Sequence, residues 1–434
     1  MPKFKWFSLV LASSLLAVPL AACGQSDGAT SSGDASASVS ATVPASDSAS
    51  TTTSPTASAS EPAAASPSAI PAETASAAPS ASSTAAPSAA ASESEQAVLR
   101  MPTAFRMAGT KIGWSGGKGW IARTDDGGKT WHTQYKHNYE VLQIFALNDQ
   151  QAWATLDIGD SKAVKLVKTT DGGKNWSDAG KVPSYDFFHF INEKEAFSGS
   201  WTTRDGGKSW QELSVPKDQV GSVYFHDPSN GWAVTQTAGK KFSFLRTQDG
   251  GKSWTSVYSK AWDGELNGAV IRSAGKNDAW IELIGGSGMT QTSYSLFHTA
   301  DGKNWQPVVA NSTAGAGPAP GFKMDDKGVP SNEGSSPGTL YVVDTKTAFL
   351  GGQCQACDNS NTLGYTTDGG KTWVNDKTQL PGYGKQLIAA ADAKHVSWIL
   401  TDAENPSVLY VSQDSGAHWT KTHSFAKPED SASK

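Results

Sequence analysis

A short turn recurs seven times along this chain, between Thr124 and Trp419. Each copy reads Ser or Thr, any residue, Asp, a turn that contains glycine, and a closing Trp. The copies span Thr124–Trp131, Thr169–Trp176, Thr203–Trp210, Thr247–Trp254, Thr299–Trp305, Thr366–Trp373 and Ser412–Trp419. The fifth copy is one residue shorter, and the seventh has Ser415-Gly416-Ala417-His418 before its Trp. Seven aligned copies indicate a repeat architecture, in which each unit packs against its neighbours.

The composition of this turn has a simple chemical explanation. An Asp carboxylate accepts hydrogen bonds from backbone N–H groups of a tight turn, and glycine allows the positive φ angles that such a turn requires. The closing Trp supplies a large ring to bury between neighbouring sheets. A residue repeated in every unit answers a repeated structural need. We therefore interpret the seven aspartates as scaffold, neither catalytic nor calcium-binding: Asp126, Asp171, Asp205, Asp249, Asp301, Asp368 and Asp414.

A second marker precedes each turn and consists of a small residue followed by an aromatic one. The markers are Gly113-Trp114, Ala152-Trp153, Ala196-Phe197, Gly231-Trp232, Ala279-Trp280, Ala348-Phe349 and Ser397-Trp398. We interpret this marker as the second strand of each repeat, with an apolar first strand upstream and a third strand before the turn. The strand after the turn is the fourth. Each repeat is therefore predicted to be a four-stranded meander.

The predicted fold class is all-β, a seven-bladed β-propeller of four-stranded antiparallel blades. Successive turn aspartates are 34 to 67 residues apart, which suits radial packing about an axis, where each sheet buries both faces against its neighbours. The alternative, a linear β-solenoid, needs shorter and more uniform repeats. We place the propeller at residues 98–425, and we expect residues 426–434 to be a flexible tail.

The N-terminal region has the composition of an exported, lipid-anchored protein. Two lysines precede an apolar stretch that is too short for a permanent membrane helix, and this stretch ends in Leu20-Ala21-Ala22-Cys23. That ending resembles the bacterial lipobox, in which the cysteine is lipidated and becomes the first residue after cleavage. We expect a signal peptide at residues 1–22, lipidation at Cys23, and an extracytoplasmic protein held at the membrane surface. The alternative is an ordinary secretory signal.

Residues 23–97 are almost entirely Ser, Ala, Thr, Pro and Gly. Such a segment cannot bury enough apolar surface to offset its ordering entropy. We expect it to be a disordered tether between the lipid anchor and the propeller.

The remaining cysteines, Cys354 and Cys357, form a CxxC pair in a loop between the second and third strands of blade six. Outside the cytoplasm this spacing favours a small disulfide loop, with a metal site or thiol redox chemistry as alternatives. No second Cys or His cluster accompanies the pair, so we expect no metal and no cofactor.

Function is expected on the propeller face opposite the turns, where loops depart from the repeat. The largest departure is a Gly, Pro and Ser-rich insert at residues 310–338. Aromatic and acidic residues collect where one blade passes to the next, and they are the candidate ligand-binding residues: Tyr139, Tyr185, Trp262, Tyr383, Asp263 and Glu265. Such rings suit a sugar face or an extended peptide, although they could equally plug the mouth of the channel.

The repeated turn resembles the Asp-box of BNR and sialidase-type propellers. A sialidase uses three arginines, a Tyr nucleophile assisted by a Glu, and an Asp acid. Phe105-Arg106 matches the arginine motif of that family only in part, and Arg106, Arg272 and Arg100 are the arginines left for a triad. Xyloglucanases also carry Asp-boxes, but they pair two propellers, whereas one is predicted here.

From Met101 to Phe425 the chain is more similar to the single-propeller photosystem II assembly and stability factors, which share the Gly/Ala-Trp strand and the Asp-Gly-Gly-Lys-Thr-Trp turn. That resemblance implies a non-enzymatic protein that binds partner proteins. The net charge of −5 and the few arginines differ from the basic patch of that family, so its partner and site residues are not transferred. The charge also argues against nucleic-acid binding.

Two functional hypotheses follow from the sequence. In the first, the chain is a monomeric, non-enzymatic binding or assembly module for an unknown protein, peptide or cell-envelope glycan, with no catalytic residue. In the second, it is a glycan-active hydrolase or lyase that uses the face opposite the turns.

Overall fold

The computed structural model describes residues 98–237, 241–357, 360–382 and 384–428. Cys23, the expected signal peptide and the expected tether lie outside these residues. Within the described chain no helix is long and apolar enough to cross a membrane. Its regular structure consists of β-strands.

Seven four-stranded antiparallel sheets follow one another in chain order, and the protein is an all-β, seven-bladed propeller. Blade one contains β1 Pro102–Met107, β2 Gly113–Gly117, β3 Trp120–Thr124 and β4 His132–Lys136. Blade two contains β5 Glu140–Ala146, β6 Ala152–Asp157, β7 Val164–Thr169 and β8 Ser177–Val182. Blade three contains β9 Phe188–Phe190, β10 Ala196–Ser198, β11 Trp201–Thr203 and β12 Gln211–Glu212. Blade four contains β13 Tyr224–Phe225, β14 Gly231–Thr237, β15 Lys241–Thr247 and β16 Thr255–Ala261.

The last three blades have the same order. Blade five contains β17 Gly268–Arg272, β18 Ala279–Ser287, β19 Thr292–Thr299 and β20 Gln306–Asn311. Blade six contains β21 Ser336–Val342, β22 Ala348–Cys354, β23 Ser360–Thr366 and β24 Val374–Asn375. Blade seven contains β25 Gln386–Ala390, β26 Val396–Leu400, β27 Val408–Ser412 and β28 Thr420–Ser424. Each sequence marker lies in a second strand, and each turn joins a third strand to a fourth.

The ring closes where blade seven meets blade one. The indole of Trp120 stacks on the ring of Phe425, with centroids 6.1 Å apart, inside an apolar cluster that both blades share. The N–H of Ala426 donates to the carbonyl of Leu99 at 2.8 Å, and Arg100 pairs with Ala426 in a parallel bridge. The first residues of the expected C-terminal tail are therefore part of the closure.

The second-strand marker supplies the deepest core side chains. The five marker tryptophans, together with Phe349, have less than 2 % of their surface exposed: Trp114, Trp153, Trp232, Trp280 and Trp398. Of the turn tryptophans only Trp131 is as well buried as the core, at 4 % exposed, and the others are half-buried. The aromatic that fills the space between blades is thus the marker, because it lies inside the sheet whereas the turn lies at its rim.

The repeated turn has one hydrogen-bond pattern. In the first copy the hydroxyl of Thr124 donates to Asp126 at 2.9 Å and accepts from the N–H of Gly128 at 2.8 Å, while the N–H of Thr130 donates to Asp126 at 3.0 Å. In the third copy the hydroxyl and the N–H of Ser209 hold the pKa of Asp205 at about 2. Each of these two carboxylates accepts its hydrogen bonds from residues of its own turn, as expected of a scaffold residue.

The seventh turn carries a strained residue. Ser415 stands where most copies have their first glycine, and it is the one non-glycine residue with a positive φ, 66°, in the described chain. A residue with a Cβ atom is destabilised by roughly 1–2 kcal/mol in the left-handed conformation. Glycine avoids this strain, but it loses more backbone entropy on folding, which offsets roughly 0.5–1 kcal/mol of the gain.

We expect Ser415→Gly to raise the free energy of unfolding by about 0.5–1 kcal/mol, measured by urea unfolding. Ser415→Ala keeps a Cβ at the same φ and serves as the control. An equal gain from both substitutions would contradict the backbone explanation.

The insert between blades five and six packs against neighbouring strands and next to the cysteine loop. The ring of Phe322 stacks on Phe297 of β19 at 5.9 Å, and the hydroxyl of Ser295 donates to the carbonyl of Pro320 at 2.9 Å. The N–H of Ser335 donates to Gln353 beside the cysteine loop, also at 2.9 Å. The insert and the cysteine loop are therefore adjacent, and residues 312–335 do not line the central cavity described below.

Candidate functional site

The first strands of all seven blades surround a central cavity of about 750 Å³. This channel is lined from every blade, and its walls combine aliphatic, aromatic and cationic side chains. A concave site of this size with a few convergent polar groups is the usual form of a small-ligand site.

One level of the channel is built from equivalent positions. In every blade the residue of the first strand that pairs with the marker aromatic of the second strand lines the cavity. We call these seven residues the channel ring: Arg106, Phe145, His189, Tyr224, Arg272, Tyr341 and Ile388. The backbone position is the same in every blade, but the side chain differs from blade to blade. The ring therefore brings aromatic and ionisable groups together that the repeat itself does not contain.

The sequence contains a signal for the ring that the sequence analysis missed. In six blades the ring residue lies eight positions before the marker aromatic, as Arg106 does before Trp114 and Tyr341 before Phe349. Blade seven has a spacing of ten between Ile388 and Trp398. In five of the six blades the backbone N–H two residues after the ring residue donates to the carbonyl four positions further on, as from Ala108 to Ile112. In blade five the N–H of Ala274 donates to the side chain of Asp278 instead.

The ring arginines lie against aromatic faces. The guanidinium carbon of Arg106 is 5.1 Å from the ring centre of Phe145 and 5.5 Å from that of Tyr341. The guanidinium carbon of Arg272 lies 3.7 Å from the ring centre of Phe187. His189 and Tyr224 stack nearly parallel, with centroids 4.7 Å apart. The ring therefore presents two cations within an aromatic wall.

Burial alters the titration of the ring and of one neighbouring carboxyl. Burial lowers the pKa of His189 to about 3 and raises that of Tyr224 to about 12, so both are neutral at physiological pH. Burial also lowers the pKa of Arg272 to about 10, and the charge of Arg106 acts in the same direction. Arg272 remains a cation at neutral pH.

Glu282 of β18 is the one acidic side chain among the described residues that line the cavity. It is 2 % exposed, and its Oε1 has no hydrogen-bond partner. Burial raises its pKa to about 8, against the opposing pull of Arg272. The carboxyl is therefore protonated at neutral pH, which suits a proton donor. Nothing in the sequence marked Glu282, because its burial arises only from the packing of the blades.

The residues expected to bind ligand are not gathered into one site. Tyr185 lines the cavity, with 44 % of its surface exposed and its hydroxyl donating to the carbonyl of Asp160 at 2.7 Å. Tyr139 is also exposed, at 39 %. Trp262 is only 8 % exposed and packs in the core between blades four and five, so its ring presents no face to a ligand. Asp263 and Glu265 are exposed to solvent, and Tyr383 lies outside the described residues.

The two cysteines of blade six do not line the channel. Cys354 and Cys357 are joined in a disulfide, with their Cα atoms 5.2 Å apart. No group of three His, Cys, Asp or Glu side chains in the described chain could hold a metal ion.

Of the three arginines considered for a triad, Arg106 and Arg272 meet in the channel, whereas Arg100 donates to the carbonyl of Lys427 at the closure.

Comparisons with known proteins agree on the architecture. No family model matches the chain. A curated sequence, the probable oligoxyloglucan-reducing end-specific xyloglucanase of Neosartorya fischeri, is 23% identical over 291 residues, which is 59% of this chain and 33% of that protein. The chain thus spans about a third of the length of this curated relative.

Two solved structures are similar to the chain, and the one with a TM-score of 0.50 shares its fold. The GH74 xyloglucanase from Xanthomonas campestris superposes with a TM-score of 0.50 and 12% identity, over 74% of this chain and 53% of that one. YCF48 bound to D1 peptide gives a TM-score of 0.41 and 15% identity, over 74% and 93%. The chain is a seven-bladed β-propeller similar to these proteins.

Proposed function

We propose that this chain is a glycan-active propeller, a hydrolase or a lyase, that takes its saccharide into the central channel. The observation that carries the proposal is the channel ring, which breaks the sevenfold repeat with aromatic and ionisable side chains around a cavity of about 750 Å³. Aromatic rings suit the apolar faces of sugars, because they offer a large rigid area while a polar edge stays free. The sequence match to a xyloglucanase supports the same class of substrate.

Glu282 is the residue that we propose as the proton donor. Both hydrolysis and elimination need a proton on the glycosidic oxygen as its bond to carbon breaks. Glu282 holds a proton at neutral pH because its burial raises its pKa to about 8, and it lines the cavity. This reverses the order of the two sequence-based hypotheses, in which the enzyme was the alternative.

The test compares two glutamates of the same region on a panel of plant and bacterial cell-wall polysaccharides. We expect Glu282→Gln to lower turnover at least a hundredfold, since general acid catalysis contributes roughly 10²–10⁴-fold. Glu265→Gln, at an exposed carboxyl, should leave turnover unchanged. Loss with Glu265→Gln but not with Glu282→Gln would place the site on the exposed blade edge instead. Absence of turnover on every polymer would refute the enzymatic proposal.

A second function, non-enzymatic binding of a glycan, peptide or protein, is favoured by one observation. Most glycoside hydrolases use two carboxyl groups. Among the described residues, Glu282 is the single acidic side chain that lines the cavity. In this case the chain binds its saccharide or partner without cleaving it, as the resemblance to photosystem II assembly factors implies. Binding in a pull-down, with unchanged polymer length afterwards, would establish this function.

The repeated turns are, we propose, Asp-boxes of the BNR type, and the protein is a lipoprotein anchored outside the cytoplasm through Cys23. The proposal of a lipid anchor rests on the sequence Leu20-Ala21-Ala22-Cys23. Fractionation of cells that express Cys23→Ser tests it, because the variant should leave the membrane fraction. A variant that stays membrane-bound would exclude the lipid anchor.

A further inference from the structure

The two channel-ring arginines, which are partly buried, differ from Arg123 and Arg246, the two buried arginines among the described residues. Arg123 donates to Asp125 and to the carbonyls of Asp149 and Gly172. Arg246 donates to the carbonyl of Lys276 at 3.0 Å and to the side chain of Asn277. Both therefore cross-link the turns of neighbouring blades, and their hydrogen-bonding groups are used by the scaffold.

Arg106 and Arg272 have no such partners. Neither forms an ion pair with a carboxylate in the described chain, and the Nε of Arg106 is buried without a hydrogen-bond partner. Arg272 donates from Nη1 to the carbonyl of Ile271 at 2.8 Å, which leaves most of its donors unused, because a guanidinium has five. Hydrogen bonds and ion pairs within the scaffold accordingly do not explain why these two residues are arginine, and the aromatic faces of Phe145, Tyr341 and Phe187 leave the edges of the guanidiniums free.

Charge strengthens this conclusion. The two guanidiniums project into one cavity, and the charge of Arg106 acts to lower the pKa of Arg272. Glu282, the one acidic side chain among the described residues that line the cavity, forms no ion pair or hydrogen bond with either guanidinium. Partly buried cations without a counterion are costly, whereas a bound anion removes that cost. The channel is thus a concentrated positive site inside a chain whose net charge is −5.

We propose that the channel binds an acidic saccharide, with the carboxylate of a uronic-acid unit between Arg106 and Arg272 and its sugar ring against the aromatic wall. This inference rests on the proposed glycan function and specifies its substrate class. The planar guanidinium matches a carboxylate with two parallel hydrogen bonds. Phe187 and Tyr341, which already contact these guanidiniums, hold them in place for the ligand.

The experiment measures binding of three oligosaccharides of equal length to the full chain by calorimetry. The probes are a trigalacturonate, a neutral trisaccharide and a sulfated trisaccharide. The variants are Arg106→Gln, Arg272→Gln and the double variant, with the exposed Arg204→Gln as the matched control. Thermal unfolding without ligand checks that the variants fold.

We expect trigalacturonate to bind at least tenfold more tightly than the neutral sugar. Each single Arg→Gln substitution should weaken its binding by tenfold or more, since a charged hydrogen bond is worth about one such factor. The double variant should bind both sugars equally, and Arg106→Lys should restore part of the affinity. Without ligand, the double variant should unfold at the same or a higher temperature, because the repulsion is gone.

Failure of the inference and failure of the proposed function give different results. Equal binding of the neutral and the acidic sugar, unaffected by the arginine variants, would overturn the acidic-saccharide inference and leave a glycan channel. Tighter binding of the sulfated probe, lost in the same variants, would overturn the assignment of a carboxylate. Binding of none of the three sugars would refute the proposed function itself.

Discussion

Replacing Glu282 with Gln should stabilise the folded protein at pH 8 by on the order of 4 kcal/mol, while changing its stability little at pH 4.5. The folded-state pKa of Glu282 is raised from 4.5 to about 8 by burial. An unfolded chain releases this proton near pH 4.5, whereas the folded chain keeps it. The free energy of unfolding therefore falls as pH rises between these two values, by about 1.4 kcal/mol per pH unit at most. Gln cannot ionise and does not have this loss.

The surroundings of Glu282 decide how much of this effect is seen. Arg272 of β17 favours the ionised carboxylate, and Tyr294 of β19 has its own pKa raised by burial and by Glu282. Urea unfolding of both proteins at half-unit steps from pH 4.5 to pH 8.5 gives the curves, with Glu265→Gln as the exposed control. Parallel curves for wild type and Glu282→Gln would show that the carboxyl is not buried as described.

A gain in stability combined with a loss of turnover would connect this prediction with the proposed catalysis. Functional groups held in unfavourable surroundings commonly destabilise the fold that holds them. If Glu282→Gln stabilises the protein and also abolishes turnover, the buried carboxyl is present for function. A structural role alone would not produce both results.

Trp280→Ala should destabilise the propeller by about 3–5 kcal/mol, the usual cost of removing a fully buried Trp. Trp280 has 0 % of its surface exposed, and its indole stacks on His298 at 3.8 Å. His298 in turn contacts Asp278 at 3.0 Å and the carbonyl of Gly369 in the next blade at 2.8 Å. The cavity left by the indole would therefore also loosen a contact between blades five and six.

Trp254→Ala is the matched control, because it removes a Trp of the repeated turn that is only half-buried. Its indole N–H donates to the carbonyl of Ser214 at 3.2 Å. We expect a clearly smaller loss of unfolding free energy from this variant in the same urea titration. A loss as large as that of Trp280→Ala would mean that the turn, and not the second strand, supplies the packing between blades.

The proposed function locates the site within the channel, where Tyr185 is the one candidate ligand-binding residue from the sequence among the described residues that line it. Sequence reasoning looked for ligand contacts in the irregular loops, where Tyr139, Trp262 and Glu265 lie. In the structure Trp262 packs in the core between blades four and five, because burial of a large apolar ring is more favourable in free energy than its exposure to water. The insert after Asn311 packs against blades four, five and six, for example through Lys260, Phe297 and Gly351, and residues 312–335 do not line the channel.

The fold could be predicted from the sequence because its information is local and repeated. The turn at Asp126 and the marker at Trp114 depend on short-range hydrogen bonds and on burial of one aromatic ring, and both recur in every blade. Seven repeats of one turn give the number of blades, and the marker gives the second strand. The sequence by itself therefore determined the architecture, and its repetition is the reason to interpret the seven aspartates as scaffold.

The tertiary structure alone decided which side chains meet. Arg106 and Arg272 are separated by about half of the propeller sequence and share a cavity only because the ring closes. The ring residues differ from blade to blade, so no repeat pointed to them, although the eight-residue spacing from the marker was present. Glu282 is protonated only because surrounding strands exclude water. Local sequence patterns fix strands and turns, whereas burial and electrostatics arise from contacts between distant blades.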